Sequence, residues 1–124
     1  MLKLVNLFGS EEKWPSQLSG GMKKRVGLAR ALMLNPKILL FDEPSTGLDP
    51  VMTEQICKLI QDTHKHFNTT QVIISHNLKT TLKLADNIAM LHAGEIIFKS
   101  SPQEFLKTDN PIVKAFLKKA SEFA

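Results

Sequence analysis

The sequence predicts an α/β fold in which helices flank a largely parallel sheet. Three observations carry that prediction. Ile38-Leu39-Leu40-Phe41 and Val72-Ile73-Ile74 are short apolar runs without alternation, the pattern of strands buried on both faces. The stretches around them show helical spacing instead. The resulting order is helix, strand, helix, strand, helix, hairpin, helix, helix, which implies α/β layering. With 124 residues the chain is long enough for one compact domain and a modest core.

The elements follow in order. Residues 1–8 are apolar at Leu4, Leu7 and Phe8, suggesting the end of a helix that Gly9-Ser10 breaks. Glu11 to Gln17 reads as a loop in which Pro15 fixes the backbone and Trp14 packs beside it. A helix is expected from Ser19 to Leu34, apolar at Val26, Leu28, Ala29, Leu32 and Met33, until Asn35-Pro36 stops it. The Ile38–Phe41 strand ends at Glu43-Pro44. Thr53 to Phe67 is helical, with Ile56, Leu59, Ile60 and Phe67 on one side. Gln71 to Ser75 is a second buried strand, and Leu78 to Ala85 a helix. Strands Asn87–His92 and Glu95–Lys99 join through Ala93-Gly94, a plausible hairpin turn. Ser101 fits an N-cap, Pro102 the first helical position and Glu104 the third, a capping box. Asn110-Pro111 opens a last helix, apolar at Ile112, Val113, Phe116 and Leu117.

Composition narrows the partners. The net charge is +4, but the basic residues are dispersed and the few aromatics are not interleaved with them. That argues for a solvated surface and against nucleic acid. A single cysteine, Cys57, cannot form an internal disulfide and suits a reducing compartment, as a small core hydrophobe. No apolar run approaches the ~18–20 residues needed to span a bilayer, and no signal peptide follows Met1. The expected place is cytoplasmic, docked on a membrane protein.

Four runs carry chemistry. Ser19-Gly20-Gly21 combines a preferred N-cap with two glycines that permit close approach to the backbone at a helix start, where anions bind. Lys23, Lys24 and Arg25 crowd the first turns, where the helix dipole favours acids. An external phosphate would resolve that conflict; a plain N-cap with solvated lysines fits the run as well. Asp42-Glu43 ends a hydrophobic strand, which holds carboxylates rigidly at a sheet's edge. Asp42 could hold Mg²⁺ there, directly or through water, and Glu43 could orient or deprotonate an attacking water. Two acids opening a turn before Pro44 is the plainer alternative. In Ser45 to Asp49, Gly47 permits an unusual backbone angle and Asp49-Pro50 can start the next helix. His76 follows a strand and could donate to a phosphate, although a lone histidine there is often structural. His64, His66 and His92 lack such context, and no Cys/His cluster has metal-ligand spacing.

Together these runs resemble the ATP-binding cassette (ABC) proteins. Leu18-Ser19-Gly20-Gly21 is similar to their signature, Asp42-Glu43-Pro44 to Walker B, Ser45–Asp49 to the D-loop and His76 to the switch histidine, in matching order and spacing. The resemblance implies the C-terminal part of a P-loop NTPase-type cassette. Residues 1–34 would be the end of the helical subdomain and 35–124 part of the nucleotide-binding core. It also implies an ATPase using ATP and Mg²⁺. Ser19, Gly20, Gly21 and Met22 would face the γ-phosphate of ATP held by a second nucleotide-binding subunit. Asp42 would hold Mg²⁺, Glu43 would be the catalytic base, and His76 would contact the γ-phosphate. Asp49 would lie at the dimer interface, and transmembrane permease subunits would be the membrane partners. Met22 stands where the family usually has glutamine. With the run Asn110 to Phe116 it resembles the ATPase subunits of Mla-type phospholipid transporters.

One family element is absent. No G-x-x-x-x-G-K-[ST] loop occurs; glycines stand only at 9, 20, 21, 27, 47 and 94. The adenine-stacking aromatic and the Q-loop are missing too. The expectation is therefore a C-terminal fragment in which Met1 is an internal start, inactive alone, with apolar sheet edges uncovered. A non-catalytic remnant, a signature face supplied in trans and a soluble cassette protein are the alternatives.

Overall fold

The computed structural model describes residues 1–122. They form two compact units, Met1–Ile74 and a second that begins at Ser75.

The first unit opens with turns, not with the end of a helix. The Leu4 N–H donates to the Met1 carbonyl at 3.0 Å and that of Leu7 to Leu2 at 2.9 Å. Asn6 takes a φ of 56°, a left-handed value that interrupts any helix and that asparagine tolerates. Val5 and Leu7 are buried nonetheless, whereas Phe8 is exposed. Trp14 does not pack beside Pro15 as expected: it is 74% exposed, at the start of the 3₁₀ turn Pro15–Gln17.

Helix α1 spans Gly20–Leu32 and is capped by Ser19, whose Oγ accepts the Met22 N–H. It buries Gly21, Arg25, Leu28, Ala29 and Leu32, a three-to-four spacing that makes one inward face. It stops two residues before the expected Leu34, and Asn35 turns left-handed at φ 47° ahead of Pro36. Strand β1 (Ile38–Asp42), helix α2 (Pro50–Phe67) and strand β2 (Thr70–Ile74) then form a β-α-β unit. β1 and β2 are parallel, with Leu40 beside Val72 and Asp42 beside Ile74. Asp49 caps α2, Pro50 takes an opening position, and left-handed Asn68 closes it. The core joins Val5, Leu7, Leu28, Ala29, Leu32, Leu39 and Leu59.

The strands of this unit are not buried on both faces. Leu39 is buried, but Ile38, Leu40, Val72 and Ile74 are 60%, 77%, 50% and 63% exposed. Side chains alternate across a strand and parallel partners share a face, so the register puts these four on one open apolar side. The helices cover only the other side.

In the second unit α3 (Leu78–Leu84) is capped by Asn77, whose Oδ1 accepts the Thr80 N–H at 3.0 Å. Strands β3 (Ile88–His92) and β4 (Glu95–Ser100) are antiparallel, with an irregularity between Met90 and Leu91. Their turn has positive φ at both Ala93 (49°) and Gly94 (85°), the pairing that a two-residue hairpin with right-handed twist requires. The expected largely parallel sheet is thus two separate pairs among the described residues, one parallel and one antiparallel. A two-residue link can join only antiparallel neighbours.

Helix α4 (Pro102–Lys107) begins with the predicted capping box. α5 (Pro111–Glu122) starts at Asn110, whose Oδ1 accepts the N–H groups of Ile112 and Val113. Ile88, Phe105 and Val113 form this unit's core, against which Leu78, Leu82, Phe98 and Leu117 pack.

Candidate functional site

Seven of the eight predicted site residues lie in the first unit. Ser19 is spent locally as an N-cap: its Oγ accepts the Met22 N–H at 3.2 Å. Asp49 does the same for α2, its Oδ1 accepting the Met52 N–H at 2.9 Å. The two helix starts touch. A Cβ on Gly21 would overlap the terminal methyl of Met52, and one on Gly20 would stand 3.8 Å from Leu48 Cδ2. The group that approaches Gly21 closely is therefore the chain's own Met52. Gly20 and Ser19 remain exposed. The Met22 side chain turns away and packs against the core.

Asp42 and Glu43 stand at the carboxyl end of β1, where ligands of parallel sheets gather. Asp42 is exposed. Glu43 adopts φ 46°, in the left-handed region. Its N–H donates to the Ile74 carbonyl at 2.9 Å, which fastens it to the end of β2. Its Oε2 accepts the Thr46 hydroxyl at 2.9 Å, and its carbonyl accepts Lys24 Nζ at 3.0 Å. Ser45 is buried, and Gly47 takes φ 78°, which only glycine adopts freely. His76 belongs to the second unit, in the bend before α3.

The basic cluster does not act as one anion site. Arg25 is buried and points inward, donating Nη1 to the Val5 carbonyl at 3.2 Å and Nη2 to Gln55 Oε1 at 2.7 Å. Lys24 is committed to Glu43, which leaves Lys23 exposed. Buried cations require such partners. Sequence reasoning placed Lys24 and Arg25 at this helix start but not against Glu43 and Val5, and it missed Met52 and Gln55. The one available signal was the misplaced charge in the first turns of α1. Two other histidines make local contacts: His64 Nδ1 lies 2.7 Å from the Thr69 carbonyl, and His66 meets Phe67 edge to face.

A cavity of about 550 Å³ lies beside Lys24 and Asp42. Leu28, Leu39, Ile56 and Ile60 line its depth, so its chemistry does not suit a triphosphate. Among the described residues no group of three or more His, Cys, Asp or Glu could hold a metal ion. Asp42 alone fits Mg²⁺ that arrives with a nucleotide, because that ion keeps several waters and phosphate oxygens and takes one or two carboxylates. Two carboxyls, both in the second unit, are held below their ordinary range. Glu104 is held by the Ser101 hydroxyl and then its backbone, Asp109 by Lys114 at 2.6 Å.

Residues 1–46 match the ABC transporter family model. Over 116 residues the chain is 43% identical to the probable ribonucleotide transport ATP-binding protein mkl of Mycobacterium leprae, an alignment covering 94% of this chain and 33% of that protein. It is 42% identical over 123 residues to the methionine import ATP-binding protein MetN of Geobacillus kaustophilus, covering 98% and 36%. The chain spans about a third of the length of these curated relatives. Its fold matches cbiO1 from Clostridium perfringens, part of the ABC transporter complex cbiONQ, with a TM-score of 0.80 and 33% identity, over 94% of this chain and 46% of that one. No helix among the described residues is long and apolar enough to cross a membrane. In motif order, fold and family match the chain is similar to part of an ABC transporter ATP-binding domain.

Proposed function

We propose that the chain supplies the signature and Walker B parts of an ATPase that energises a membrane transporter. The observation that carries this is the fastening of Glu43 at the carboxyl end of a parallel strand pair, one residue after an exposed Asp42. Glu43 accepts the proton of the attacking water, and its bond from Thr46 aims the carboxylate. Asp42 would hold Mg²⁺, which would supply neutralisation of the phosphate charge. Ser19, Gly20, Gly21 and Met22 form the helix start that faces the γ-phosphate of ATP on a second nucleotide-binding subunit. Asp49 lies at that dimer interface, and His76 contacts the same phosphate. The functional division falls at 34/35, between the signature helix and the nucleotide-binding core. Permease subunits anchor the assembly at the cytoplasmic face of the membrane.

Glu43→Gln tests the base. In the complete ATPase containing this chain it should keep ATP binding and lose hydrolysis by roughly 10²–10⁴-fold. An unchanged turnover rate removes Glu43 from that role. The cargo is a separate question. Met22 and the run Asn110 to Phe116 support a phospholipid; the names of the two relatives support a ribonucleotide or methionine. Stimulation of the assembled transporter's ATPase by one of the three decides among them.

A further inference from the structure

We propose that Lys24 is a positioning residue for Glu43, holding its peptide in the left-handed conformation from the first turns of α1. The inference rests on Glu43 being the base. Five non-glycine residues among those described have positive φ: Asn6, Asn35, Glu43, Asn68 and Ala93. Three are asparagines, which tolerate that region, and Ala93 sits in a hairpin turn that demands it. Glu43 has neither excuse. Such a conformation persists only where the surroundings over-determine it.

Those surroundings are explicit. The Glu43 N–H is taken by the Ile74 carbonyl, and the Glu43 carbonyl accepts both the Thr46 N–H at 3.3 Å and Lys24 Nζ at 3.0 Å. The first two partners are local or belong to the paired strand. Lys24 is the side-chain partner and comes from a helix, half-buried and 19 residues earlier in the chain. A charged donor makes the stronger kind of hydrogen bond and fixes the plane of the peptide on which the carboxylate rides. Lys24 also sits five residues after the Ser19 cap. The same bond therefore joins the phosphate-facing helix start to the carboxylate that activates water. The charge on α1 that conflicts with its dipole serves this contact.

The test uses Lys24→Met and Lys24→Arg, with exposed Lys58→Met as control. In the isotope-labelled 124-residue chain, Lys24→Met should shift the Glu43 amide and carbonyl resonances and change its HN–Hα coupling, which reports φ. Lys24→Arg should restore them, and Lys58→Met should leave them alone. Lys24→Gln replaces the Met variant if circular dichroism shows lost helix. In the complete ATPase, Lys24→Met should lower kcat about tenfold, the scale of a small misplacement, with KM for ATP within about twofold. Unmoved Glu43 resonances, or a kcat loss that Arg does not recover, overturns the proposal. A wild-type ATPase without hydrolysis would instead sink the base assignment, and the Glu43 resonances would still decide the clamp.

Discussion

Gly21 shows how a motif residue acquires a second reason to be what it is. In the sequence its lack of a side chain suits a phosphate approaching from another subunit. In the fold it also gives room to Met52, which caps the contact between α1 and α2. Gly21 is helical and not left-handed, so the requirement is space and not backbone freedom. Gly21→Ala should therefore destabilise the chain by about 1–3 kcal/mol, the range for overpacking a filled site. Met52→Ala should remove most of that penalty, because the overlapping atom is the far end of a flexible side chain. Urea unfolding of the two single variants and the double variant measures the coupling, and additive losses would refute it. Arg25 makes the same point about charge. Its bonds to Val5 and Gln55 make it part of the interior, which three adjacent basic letters do not reveal.

Among the elements, the helix starts follow local rules. Ser19, Asp49, Asn77 and Ser101 all cap with their side chains, since an N-cap depends on residues only two or three positions away. The box on α4 yields a prediction with a pH signature. Ser101→Ala should cost about 1 kcal/mol of stability, the usual loss of an N-cap. Glu104 reaches back to the Ser101 N–H at 3.1 Å and hydroxyl at 2.8 Å, which lowers its pKa in the fold. A depressed folded pKa means stability present above the unfolded value and lost as pH falls through the folded one. The Glu104 contribution is thus intact at neutral pH and fades below the ordinary carboxylate range. Glu104→Gln should flatten that acid limb of the unfolding curve. An acid limb identical in both proteins would count against the box.

For the whole molecule, the decisive feature is the open side of the β1/β2 pair. Ile38, Leu40, Val72 and Ile74 form an apolar face that the helices of their unit do not cover. The chain also contains no phosphate loop to cradle a nucleotide's own β- and γ-phosphates. Phosphoryl transfer depends almost entirely on that positioning. The purified 124-residue chain should accordingly show no appreciable Mg-ATP hydrolysis in a coupled assay. Turnover at 1 s⁻¹ or faster, roughly the lower end of ordinary enzyme rates, would contradict this.

Ser19, Asp49, the Ala93-Gly94 hairpin and the Ser101 box were legible from sequence alone because each is settled within a few residues of chain. The order of helices and strands was legible too, since hydrophobic period is a local signal. Residues 1–8 were misjudged because one left-handed asparagine outweighed an apolar spacing. Tertiary structure alone decided what each strand's second face meets, that Arg25 lies inside, and that Lys24 reaches Glu43. The Arg25 and Lys24 contacts join residues 19 to 30 positions apart. An apolar run states that burial is favourable, but which neighbour supplies it depends on the packing of the whole chain.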